Sequence, residues 1–120
     1  MKFQKLVLVM SLFFSLVACE YITEVGNISD KTITVLAPKN GTVIDSIAIF
    51  TWEALEEAQN YHLQVAKPSF EDASQITIDT LLEKTNYTKQ LGSGNYEWRI
   101  RGENSGYVTA YSKQDFIVVN

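Results

Sequence analysis

Few side chains here could do chemistry alone, and the first is Cys19. It is the only cysteine, which excludes an internal disulfide and a cysteine-ligated zinc. It ends the apolar stretch "SLVAC", Ser15 to Cys19, as a lone thiol. His62 is the only histidine. A serine–histidine site needs its serine in a special turn such as G-x-S-x-G, and the chain has none. "GSG" at Gly92–Gly94 lacks the lysine and helix that complete a phosphate loop. Glu56–Glu57 and Glu71–Asp72 would suit a two-carboxylate hydrolase or calcium, but no D-x-D-x-D-G spacing accompanies them. Solvated loop charges are the simpler account. No catalytic, cofactor or metal residue is expected, and the chain reads as a non-enzyme. A net charge of −4 argues against nucleic acid, whose binders cluster basic residues against phosphate.

The elements that would position any surface site are strands. With 120 residues there is room for one domain, and 46% hydrophobic content is too apolar for a disordered chain. From Thr32 onward the period is two. "AIFTWE" puts Ala48, Phe50 and Trp52 on one face. "YHLQVAK" separates Tyr61, Leu63 and Val65 from His62 and Gln64, and "YEWRIRG" separates Tyr96, Trp98 and Ile100 from Glu97, Arg99 and Arg101. "DFIVV" adds Phe116 and Val118, and weaker strands read at Ile33–Leu36, Gln75–Asp79 and Asn86–Gln90. "PKNG", "LGSGN" and "GENSG" supply turns. "EALEEAQN" is short and polar, a connection with at most one helical turn. The pattern predicts an all-β fold, an antiparallel β-sandwich of about seven strands.

Residues from about Val35 to Val119 resemble a fibronectin type III domain, an immunoglobulin-like sandwich. "APKNG", "FTWE", "YHLQVA" and above all "LGSGNYEWRIRGEN" carry the resemblance. It implies that Leu91 and Tyr96 form a tyrosine corner, with the Tyr96 hydroxyl bonded to backbone just upstream. It also implies that the third and sixth strands are neighbours. His62 and Gln64 would then lie beside Arg99 and Arg101 on a solvent-facing sheet surface, a candidate interaction face. An ordinary wet sheet face, with cross-strand charge pairs, is the simpler account of these residues. Tyr107 and Tyr111 in the last loop would serve sugar stacking if exposed, or pack over the end of the sandwich.

The N-terminus reads as an address. Lys2 and Lys5 precede the apolar run Leu6–Ala18, which is shorter than the roughly 20 residues that cross a bilayer as a helix. A signal peptide over 1–18 is expected. "LVAC", Leu16 to Cys19, resembles the lipobox of bacterial lipoproteins. That resemblance implies cleavage before Cys19 and attachment of diacylglycerol to its thiol, with palmitate among the acyl groups. Two or three acyl chains anchor a protein where one holds it only marginally. Residues 19–31 read as lipidated cysteine and tether, and 32–120 as the domain. Asp45–Ile47 and Asp79–Leu81 resemble the Asp-Ser/Thr-aliphatic acceptor of bacterial O-glycosylation. The function expected is a lipid-anchored, non-enzymatic envelope module, on the periplasmic or the surface side. Its partner is an envelope protein or, alternatively, a glycan.

Overall fold

A computed structural model describes residues 24–120; the expected signal peptide over 1–18 and Cys19 lie outside them. Eight strands and no helix form among the described residues. They are β1 (Val35–Ala37), β2 (Thr42–Ile44), β3 (Ile47–Trp52), β4 (Asn60–Lys67), β5 (Gln75–Leu82), β6 (Asn86–Gln90), β7 (Gly94–Glu103) and β8 (Ser112–Val118). One sheet has the order β1-β3-β6, the other β2-β8-β7-β4-β5.

The strand beyond the expected seven arises where the first strand divides. "PKNG" takes the chain from one sheet to the other. Its turn is fastened to β8 by side chains: Asn40 N–H donates to Gln114 Oε1 at 2.9 Å, and Gly41 N–H to Asp115 Oδ1 at 2.8 Å. Asp115 N–H donates back to Asn40 Oδ1 at 2.8 Å. Gly41 has a φ of 79°, the left-handed region that favours glycine. The chain keeps its direction across this turn, so β2 pairs with β8 in parallel while the other pairs are antiparallel.

The period-two pattern places the core. Ala48, Phe50 and Trp52 of β3 meet Leu63 and Val65 of β4, Trp98 and Ile100 of β7, and Phe116 of β8, all buried. Phe50 meets Trp98 edge-on at 5.0 Å between ring centres and Phe116 at 5.7 Å, the geometry that aromatic quadrupoles favour. Trp98 Nε1 donates to Pro38 O at 2.9 Å across the core, whereas Trp52 Nε1 is buried without a partner among the described residues. The tyrosine corner closes as expected: Tyr96 Oη donates to Gly92 O at 2.8 Å, and Leu91 is buried beside the core.

The described part of the segment read as tether, residues 24–31, packs on the domain. Ile28 is fully buried, and Asn104 Nδ2 donates to Gly26 O at 2.8 Å. An isolated isoleucine flanked by polar residues carries no periodic signal, which is why the stretch reads as linker.

Candidate interaction face

The outward parity of β4 and β7 builds the face. These strands are antiparallel neighbours with His62 opposite Arg101 and Gln64 opposite Arg99. β5 flanks β4 on the other side, with Asp79 opposite Gln64. The four residues singled out in the sequence therefore share one surface.

They do not project freely to solvent. The Arg99 guanidinium lies 4.2 Å from the centre of the Phe70 ring and 4.3 Å from that of Tyr111, and its Nε donates to Gln64 Oε1 at 2.8 Å. Arg101 lies 4.8 Å from the Tyr111 ring centre and donates through Nε to Glu103 Oε2 at 2.8 Å. Both arginines are half-buried. The physical reason is that two loops fold back over the sheet. Glu97 Oε1 accepts Phe70 N–H at 3.0 Å and so pins the loop after β4 above Arg99. Tyr111, just before β8, covers the arginines rather than the end of the sandwich. Tyr107 is partly exposed, and its carbonyl accepts Asn104 N–H at 3.0 Å.

His62 joins the same network. Its Nε2 hydrogen-bonds Asp79 Oδ1 at 2.5 Å, its Nδ1 lies 3.3 Å from Tyr111 Oη, and Glu103 Oε2 is 3.7 Å away. The hydrogen bond with His62 is the main cause holding the Asp79 carboxyl below its ordinary pKa of 3.8; Gln64 and the Arg99 charge act in the same sense, and desolvation opposes them. This histidine–carboxylate pair sits on a strand face, not in a cleft. Grooves among the described residues run along Leu36, Ile44, Ile47 and Ile49 and on towards Leu91 and Gly92. No group of three or more metal-ligating side chains occurs among the described residues.

Sequence reasoning missed Phe70, Asp79 and Glu103 as members of this network, and Asn104 as the side chain bonded to Gly26. Strand parity could have found Asp79 and Glu103, which alternate outward like Arg99 and Arg101. Phe70 and Asn104 lie in loops, where no period applies. Ser46 and Thr80, the hydroxyls of the two acceptor-like motifs, are half-buried, in the β2–β3 turn and in β5.

No family model and no curated protein matches the sequence. Solved structures do match the fold. The fibronectin(III)-like modules of Clostridium thermocellum CbhA align with a TM-score of 0.53 and 13% identity, over 72% of this chain and 94% of theirs. The fibronectin type III domain from human KIAA0970 aligns at 0.53 and 12%, over 73% of each chain. The FN1-FN3 domains of chicken CNTN1 align at 0.54 and 16%, over 79% of this chain and 36% of theirs. Two sheets, the split first strand and these neighbours together give the chain a fibronectin type III-like β-sandwich fold.

Proposed function

We propose that this chain is a non-enzymatic interaction module of a bacterial envelope, lipid-anchored through Cys19, that binds another envelope protein through the outer face of β4 and β7. The fold is one commonly used for binding. The observation that carries the face is the ordering of Arg99, whose guanidinium is held by Phe70, Tyr111 and Gln64. A fork fixed before the partner arrives loses little side-chain entropy on binding. Arginine is enriched at binding hot spots because its planar fork makes oriented bonds to carboxylates. The "LVAC" stretch supports the anchor.

A protein partner fits this face better than a glycan. Both guanidinium groups lie over the Tyr111 ring, so that ring is not free to stack on a sugar. The test is pull-down from detergent-solubilised envelope with wild type and the Arg99→Lys/Arg101→Lys double variant, which keeps the charge and removes the forks. The variant should fold with at most a modest drop in melting temperature and lose its partner. Equal recovery of the same proteins would remove this face, and specific binding on a glycan array would favour the alternative.

A further inference from the structure

We propose that the pole of the sandwich where the N-terminal segment docks rests against the bilayer, with Val25, Tyr107 and Val108 seated at the headgroup level. The inference rests on the acylation of Cys19 proposed above.

Asn104 fixes this pole. Its Nδ2 donates to Gly26 O at 2.8 Å and to Glu57 O at 3.2 Å, while its Oδ1 accepts Gly106 N–H at 3.0 Å and Tyr107 N–H at 2.8 Å. One side chain thus ties the incoming segment to the loops that follow β3 and β7. Two residues beyond Gly26, Ile28 is fully buried. The chain is fastened to the domain from Gly26 onward.

Reach then decides orientation. From Cys19 to Val25 there are six peptide steps, a span of roughly 20 Å when fully extended. The opposite pole lies a strand length away, roughly 30 Å for a strand as long as β7. A tether that short keeps the near pole within roughly 20 Å of the membrane and cannot let the far pole turn down to it.

The side chains at the near pole suit that place. Val25 is 40% exposed, Tyr107 38% and Val108 43%, and Val25 packs beside Gly106, next to Tyr107. Tyrosine favours the membrane–water boundary because its ring is apolar and its hydroxyl is not. Glu56 and Glu57 belong to a loop of the same pole. Their charge disfavours anionic lipid, so the contact is with zwitterionic headgroups. The arginine face and the apolar groove then stand along the sides of an upright domain, open to a partner in the aqueous phase.

The test uses the full chain made in bacterial membranes and reconstituted into phosphatidylcholine vesicles. Uptake of labelled palmitate reads the anchor separately. Acylation consumes the native thiol, so spin labels go only onto Tyr107→Cys, Val108→Cys or Val43→Cys, the last lying towards the far pole and 58% exposed. Labels at 107 and 108 should be relaxed by oxygen and shielded from an aqueous nickel chelate, and the label at 43 should show the reverse. Equal access of nickel to all three positions in palmitate-bearing protein overturns the orientation and leaves the anchor standing. A chain that takes up no palmitate overturns the anchor, and the orientation with it.

Discussion

Trp52 and Trp98 share one core, 6.4 Å apart between ring centres, yet their indole N–H groups meet different fates. Trp98→Phe removes a buried hydrogen bond and orphans the Pro38 carbonyl; Trp52→Phe removes a donor that has no partner among the described residues. The Trp52 variant should therefore lose less stability, by about 2 kcal/mol, because an unsatisfied buried polar group is itself costly. Denaturant midpoints of the two variants test this, and equal losses would deny the Pro38 bond its role. Arg99→Ala should cost about 1–2 kcal/mol through its lost stacking and its lost bond to Gln64, more than an exposed sheet arginine would. A thermal melt within error of the wild type would show that the stack contributes nothing. For Asp79 the sign of the pH dependence follows from its depressed pKa. A carboxylate stabilised in the folded state adds stability above its unfolded pKa, and that stability is lost as pH falls below 3.8. Asp79→Asn should therefore flatten the acid limb of the stability curve while lowering stability near neutrality. An unchanged acid limb would mean that the His62 bond does not couple to folding.

Among elements, the segment from Gly26 to Ile28 behaves as part of the sandwich although it has no strand of its own. A chain beginning at Thr32 should be less stable than one beginning at Glu24 by ~2–3 kcal/mol, the scale of one fully buried isoleucine. Equal denaturant midpoints would show the segment to be mere tether. The "PKNG" turn is the other decisive element. It decides whether residues 42–44 extend the first sheet or join the second, and the bonds of Asn40 and Gly41 to Gln114 and Asp115 favour the second. That choice gives β8 a parallel neighbour and lays the apolar groove along Leu36, Ile44 and Ile47.

For the whole molecule, the central expectation is attachment at Cys19. Labelled palmitate should enter the wild type and not Cys19→Ser; equal labelling of both would end the lipoprotein reading. With attachment, the short tether and the docked N-terminal segment leave one pole near the lipid.

The sequence by itself determined the sandwich, its core and its tyrosine corner. Ala48, Phe50, Trp52, Leu63, Trp98 and Phe116 announce themselves because strand alternation maps directly onto the two sides of a sheet. Parity also put His62, Gln64, Arg99 and Arg101 on outward sides; that their strands are neighbours was implied by the family resemblance and is what the pairing of β4 with β7 shows. Only the tertiary structure decided what covers that face. Phe70 and Tyr111 reach it from loops, where no repeat relates residue number to direction. The same holds for Asn104, whose bond to Gly26 joins segments more than seventy residues apart in the chain. Local periodicity reports which way a side chain points from its own strand, and what comes to meet it there is settled by contacts between distant parts of the chain.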